Sequence, residues 1–380
     1  MTTYVGRDPR TGRRTEVAVE GEVVTHVRTT GDADPDLPLI APGLVDLQVN
    51  GFGGHDVNGP DVTAAEVAYL TAALTRAGTT TYVPTVITGS EADIVRSLRA
   101  VVDARHEDPA TEHAVPFIHV EGPHLSDQDG PRGVHAREQV RPPDLEEFRR
   151  WQDAADGLVR MVTISPHHQG SVAYTEALTS DGVMVAVGHT HATADEIRAV
   201  VDAGASLSTH LGNGAHAVIA RHPNYIWAQL AEDRLVAGFI ADGHHLPGDT
   251  LIAMLRAKGL DRSVLVSDSV ALAGMPAGRY ATPVGGSVDL SEDGRLSEAG
   301  TPYLAGAARS LAECVATACR LTGLALADAL LLATVNPGRL AGGRGRLVPG
   351  AAADLLLFDP GTDGTSLELR QVVVAGQPVG

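Results

Sequence analysis

The sequence predicts an α/β fold: a parallel (β/α)8 TIM barrel with a small β domain built from both chain termini. Three observations predict it. Eight short apolar, β-prone runs alternate with helical segments between residues 43 and 267, the strand count of a closed (β/α)8 barrel. Five of these runs stop at or beside a polar, chemically active side chain: Gly43-Leu-Val-Asp-Leu-Gln48-Val-Asn50, Phe117-Ile-His119-Val-Glu121, Val185-Ala-Val-Gly-His189, Leu207-Ser-Thr-His210 and Val264-Leu-Val-Ser-Asp268. Finally, both ends of the chain read as strands and turns, and neither end has enough strands to form a sheet alone.

The elements follow in order. Residues 15–28 alternate apolar and polar, as antiparallel strands do, and Asp32–Pro38 is a Pro/Asp-rich break. Candidate barrel strands are 43–50, 79–87, 115–121, 158–165, 183–188, 205–209, 235–241 and 263–267. Thr63–Ala77 and Pro247–Lys258 are amphipathic helical stretches. Thr193-Ala-Asp-Glu196 is a capping box that opens a helix over 194–203, which Gly204 ends. Residues 274–303 are rich in Gly and Pro and contain a hairpin pattern beginning at Gly286, an insertion after the eighth strand. Gly345-Arg-Leu-Val-Pro-Gly-Ala-Ala-Ala-Asp354 and Leu369-Arg-Gln-Val-Val-Val-Ala-Gly are again strand-and-turn sequence. The expected division is 1–41 with 340–380 as the β domain and 42–339 as the barrel.

Composition narrows the function classes. The 380 residues are 43% hydrophobic, ample for a large core, and carry a net charge of −18. An acidic body disfavours nucleic acid and anionic membranes as partners and leaves a small molecule as the expected one. An anionic substrate would need a local basic group against that field. Cys314 and Cys319, five apart in a helical stretch, face different sides and do not predict a disulfide. The N-terminus has no apolar leader-like core and no 18-residue apolar run occurs, so a soluble cytoplasmic protein is expected.

The strand-end groups point to metal chemistry. Glu121, His189 and His210 are a carboxylate and two imidazoles, a donor set for zinc or a similar transition metal with a position left open. The bland reading of any one histidine is a surface or core residue; three candidate ligands that all end predicted strands raise the metal reading. Asp268 reads either as an N-cap or as a general base for the attacking water. Gln48 and Asn50, two apart on one strand, face the same way and suit hydrogen bonds to the metal's surroundings, or a polar plug at the barrel mouth. His135, in the Gly-rich loop Gly130-Pro-Arg-Gly-Val-His135, reads as a carbonyl-polarising group or an exposed loop residue. Asn213 and Gly214 with Arg221 suit an oxyanion such as phosphate, though an isolated Arg is more often a solvated surface group. His245, in Asp242-Gly-His-His245, reads as a contact to a substrate anion or to the reacting carbonyl.

These stretches, together with Pro42-Gly-Leu-Val-Asp-Leu-Gln-Val-Asn-Gly51, His119-Val-Glu-Gly-Pro123, Gly188-His-Thr-His-Ala-Thr193, Leu304-Ala-Gly306 and Thr334-Val-Asn-Pro337, resemble the amidohydrolase superfamily, N-acetylglucosamine-6-phosphate deacetylase type, over essentially the whole length. The resemblance implies a barrel with a β-sandwich made from both termini, usually in a homodimer. It implies a metal on Glu121, His189 and His210, Asp268 as catalytic acid/base, His135 at the carbonyl, His245 on the substrate, and a phosphate at Asn213 and Gly214 with Arg221 donated across the dimer. Many members carry His-x-His on strand one and bind two metals. Here Gln48-x-Asn50 stands there, so one divalent ion is expected, zinc first, with Fe2+, Co2+ or Mn2+ as alternatives. The chain departs from the family pattern at Gly212, where an aromatic is usual, at Gly214, His216 and His222-Pro-Asn224, and at Ala307. These departures fall where sugar and phosphate would bind. They leave open a different, unphosphorylated N-acyl amino sugar or an N-acyl amino acid. A non-catalytic barrel would be expected to lack some of the ligands or the acid/base.

Overall fold

The computed structural model describes residues 1–31, 34–282, 286–301, 303–361 and 366–379. Residues 32–33 of the expected linker, and 283–285 and 302 of the insertion, lie outside the described residues.

Eight parallel strands form the central sheet: β1 (Leu44–Val49), β2 (Thr79–Ile87), β3 (Ile118–Glu121), β4 (Val159–Ile164), β5 (Met184–Val187), β6 (Leu207–Ser208), β7 (Val236–Ile240) and β8 (Ser263–Val266), each hydrogen-bonded to the next in order. The sheet closes where the chain past β8 meets β1. Asp268 N donates to Gln48 O at 3.0 Å, Asn50 N donates to Ser269 O at 2.8 Å, and Val49 bridges Ser269. All eight fall within the runs expected from sequence; the differences are trimmed ends, most of all at β3 and β6. At β6 the trimmed Ser206 and Thr209 still donate to Val185 O and Val187 O of the neighbouring strand.

Val45, Leu47, Val83, Met161, Ala186, Leu207, Val264 and Val266 fill the barrel interior, and two larger apolar clusters lie between barrel and outer helices. The helices begin where side chains can satisfy their free N–H groups. Thr63 caps Ala64–Arg76, and Thr193 with Glu196 forms the expected capping box of Ala194–Asp202. Cys314 and Cys319 lie on the helix Leu311–Thr322 as free thiols. No helix among the described residues is long and apolar enough to cross a membrane.

Strands from both termini form one seven-stranded sheet, in the spatial order Gln377–Val379, Leu367–Val374, Leu355–Pro360, Leu39–Pro42, Thr2–Arg7, Arg14–Glu20 and Val23–Thr30. Its middle is the antiparallel pairing of Leu355–Pro360 with Leu39–Pro42, which joins the two ends into one sheet; contrary to the sequence expectation, each end also pairs three strands of its own. The sheet curls on itself: Val24 N reaches Ala351 O at 2.9 Å, and Tyr4 Oη reaches Gly376 O at 3.2 Å, around Val17, Val19, Ile40, Leu355 and Val373. Strand Leu39–Pro42 then runs directly into β1 through Gly43, where a Cβ would stand 2.1 Å from Thr80 Oγ1; only glycine fits that crossing. After β8, Gly278–Thr282, Gly286–Leu290 and Leu296–Glu298 make a three-stranded antiparallel insertion.

Candidate metal-dependent active site

One device positions three of the site residues. His189, His210 and Asp268 each lie two residues past the end of their strands, and each has a positive φ, at 45°, 25° and 49°. A left-handed conformation costs a non-glycine residue about 1–2 kcal/mol. Of the five non-glycine residues with positive φ among the described residues, three are here. The turn swings each side chain off the strand direction and over the barrel mouth. Glu121 needs no such turn, because it ends β3 itself, paired with Ile87 and Thr163.

The result is a convergent trio. His210 Nε2 lies 3.0 Å and His189 Nε2 3.5 Å from Glu121 Oε1, and the two imidazole nitrogens are 3.1 Å apart. All three residues are buried. His189 Nδ1 lies 2.7 Å from Pro131 O. A carbonyl only accepts, so Nδ1 carries the proton and Nε2 turns a lone pair toward Glu121 and His210. A carboxylate oxygen and two imidazole nitrogens converging at these distances fit the donor set of a divalent metal. The electrostatics agree. Burial alone would raise Glu121, yet the hydrogen bonds and charges of His189 and His210 hold it well below the usual carboxylate range. Burial would depress His210, yet Glu121 pushes it up to about 9. Positive charge is what this point in the structure stabilises.

The surrounding groups are fixed by bonds of their own. Gln48 Nε2 donates to Glu121 Oε1 at 3.0 Å, and Asn50 Nδ2 donates to Asp268 Oδ1 at 2.8 Å. Burial raises the Asp268 carboxyl above its ordinary value, against the pull of His210. His135 Nε2 lies 3.4 Å from His189 Nε2, and burial lowers its imidazole to about 3, so it is neutral at pH 7. His245 Nδ1 is 2.7 Å from Asp242 Oδ2, which orients the ring. Gly214 has φ 55°, and a Cβ on it would stand 2.7 Å from His189 Nδ1; Gly133 crowds the same ring.

Asn50, Glu121, His135, His189, His210, Asn213, Gly214, His245 and Asp268 line a single cavity of about 470 Å³, within the range of small-molecule sites. Gln48 lies behind Glu121. Arg221 does not line the cavity of its own chain; it is exposed on the loop beyond Gly214. Sequence reasoning missed the Pro131 carbonyl and the Asp242 carboxylate that orient two histidines. It also missed the insertion residues Val288, Leu296 and Tyr303 and the loop residue Asp56, which complete the cavity wall. The Asp242-Gly-His-His spacing carried a signal for one of these; a backbone carbonyl leaves none.

The model of the Amidohydrolase family matches residues 39–379. An N-acetylgalactosamine-6-phosphate deacetylase from Escherichia coli is 30% identical over 90% of this chain and 88% of its own. An N-acetylglucosamine-6-phosphate deacetylase from Bos taurus is 31% identical over 90% and 83%. Among solved structures, a mutant N-acetyl-D-glucosamine-6-phosphate deacetylase from Mycobacterium smegmatis, in complex with N-acetyl-D-glucosamine-6-phosphate, superposes with a TM-score of 0.88 at 30% identity, covering 100% of this chain and 99% of that one.

Proposed function

The chain belongs to the amidohydrolase family, and we propose that it is a metal-dependent deacetylase of an amino-sugar phosphate, N-acetylglucosamine-6-phosphate first. The observation that carries the reading is the Glu121–His189–His210 trio with Asp268 and His135 lining the same cavity. The relatives at about 30% identity over most of the chain support the substrate class.

Glu121, His189 and His210 would hold one divalent ion, zinc in this reading. Bound there, such an ion polarises a carbonyl and makes water a stronger nucleophile at neutral pH. Asp268 takes a proton from the attacking water as the C–O bond forms, then gives it to the nitrogen as the C–N bond breaks. The products are acetate and the free amine. His135, neutral at pH 7, has an N–H to donate to the carbonyl oxygen as negative charge builds on it. Asn50 keeps Asp268 in position, and Gln48 keeps Glu121 turned to the metal. His245 contacts the sugar.

Asn213 and Gly214 would receive the phosphate, with Arg221 supplied by a second subunit. Val218 and Ile219, in the same loop as Arg221, and Trp227, on the helix that follows, are exposed apolar residues of the kind that a homodimer covers. A second reading, an unphosphorylated N-acyl amino sugar, has one observation in its favour: among the described residues, no Lys or Arg lines the cavity. Acetate release from N-acetylglucosamine-6-phosphate and from N-acetylglucosamine, measured side by side with zinc supplied, tests both. Turnover of the phosphate ester alone supports the first reading. Turnover of the free sugar alone supports the second, and turnover of neither removes both.

A further inference from the structure

Asp56 has no role in the chemistry above, yet it lines the same cavity. It sits on a short hairpin, Gly51–Phe52 paired with His55–Asp56, that leaves the end of β1. That hairpin is held rigidly. Gly51 N donates to Ser269 O at 3.0 Å and Val57 N to Asn50 O at 3.0 Å. Asn58, two residues on, is locked at both ends of its amide: Nδ2 donates to Thr85 O at 3.0 Å, and Oδ1 accepts Ile87 N at 2.8 Å. Asn58 therefore has little left for a ligand. Asp56 is different. Its Oδ1 accepts Asn58 N at 2.7 Å, while Oδ2 makes no hydrogen bond, and the residue lines the cavity.

An ionised carboxylate only accepts, so Asp56 selects a group that donates. It repels a phosphate. With no Lys or Arg on the cavity wall among the described residues, the charge that Asp56 meets is not supplied by the protein. The hairpin starts at Asn50, whose side chain holds Asp268, which puts Asp56 on the flank of the reacting centre. In a 2-acylamino sugar whose acyl group lies at that centre, the neighbouring ring carbons carry hydroxyls. We propose that Asp56 is a specificity-determining residue that accepts a hydrogen bond from a ring hydroxyl next to the acylamino carbon and so selects a sugar with its hydroxyl at that position. This rests on the deacylase reading and adds to it the end of the sugar that is recognised by this chain alone.

The test compares wild type and Asp56→Asn on the N-acetylhexosamine substrate and on its 1-deoxy and 3-deoxy analogues, reading kcat/KM. Asn keeps the shape and the bond from Asn58 N but loses the charge. Wild type is expected to lose about 10- to 100-fold on one of the two analogues, the range for a hydrogen bond to a charged group. Asp56→Asn is expected to lose a similar factor on the parent sugar and nothing further on that analogue. Wild type indifferent to both deletions overturns the proposal, as does a variant that loses the same factor as wild type on each analogue. Wild type that cleaves no N-acetylhexosamine overturns the deacylase reading itself, so the two failures are told apart by the first measurement.

Discussion

Two of the clusters that join a carboxylate to histidine, one at the barrel mouth and one under the terminal sheet, are opposites. At the barrel mouth, Glu121 meets two imidazoles whose nitrogens crowd to 3.0–3.5 Å, with no Lys or Arg beside it among the described residues. Under the terminal sheet, Asp354 meets His113 Nε2 at 2.8 Å, Arg344 Nη1 at 3.1 Å and Ala375 N at 2.9 Å, while Arg344 Nη2 donates to His113 O. The second cluster brings its own cation and satisfies its carboxylate from three sides. It ties the helix at Pro109–Ala114 to the sheet built from both termini. The first takes its carboxylate from a strand end and its two imidazoles from costly positive-φ turns, and its donor set fits a divalent metal. The difference separates a binding site from a clamp: both centre on a buried carboxylate, but only the clamp pairs its carboxylate with an arginine.

Mutations should divide the same way. The largest effect is expected at the mouth. Asp268→Asn should lower kcat about 10²- to 10⁴-fold with metal content unchanged by elemental analysis, whereas Glu121→Gln should lose both metal and turnover. Near-wild-type activity in Asp268→Asn would break the assignment of the acid/base. At the clamp, Asp354→Ala should cost about 1–3 kcal/mol of stability, because the part-buried Arg344 and the Ala375 N–H lose the carboxylate they share. A denaturant titration reads this, and the folded fraction should keep its metal and its kcat. A clamp variant that loses metal would erase the distinction.

A third buried carboxylate sharpens the comparison. Asp46 Oδ1 accepts Gln48 N and Ser267 N, but Oδ2 has no partner, and burial raises its carboxyl from 3.8 to about 7. The folded state therefore holds the proton after the unfolded chain has released it. The stability this contributes is full below about pH 4 and is lost as the pH rises through about 7. The difference in unfolding free energy between wild type and Asp46→Asn should follow that slope; a pH-independent difference would mean that Asp46 is ionised in the fold. The smallest expected change is Arg221→Ala, which should raise KM for a phosphorylated sugar about 10-fold or more and leave kcat on an unphosphorylated one alone. Equal kinetics on the phosphorylated sugar would place its charge elsewhere.

Much of this was legible in the sequence, for reasons that differ by element. The barrel strands were readable because each is an apolar run bounded by a helix cap or a glycine, as with Thr193, Glu196 and Gly204 around one helix. The trio was readable because a polar side chain at the end of an apolar strand has few other reasons to be there. What escaped was held by backbone or by distance. The Pro131 carbonyl that sets the tautomer of His189 leaves no mark in side-chain identity. Asp354 read as part of a strand-and-turn segment, and its partner His113 is 241 residues away. Asp56, inside a glycine-rich turn, carried no signal in the sequence and stands out only in the cavity wall.

The most direct measurement strips the protein with a chelator, adds zinc back in steps, and follows acetate release from N-acetylglucosamine-6-phosphate against metal bound. The account predicts no turnover in the stripped protein and a rise that breaks at one equivalent per chain. Full turnover after chelation, or a break at two equivalents, would contradict it.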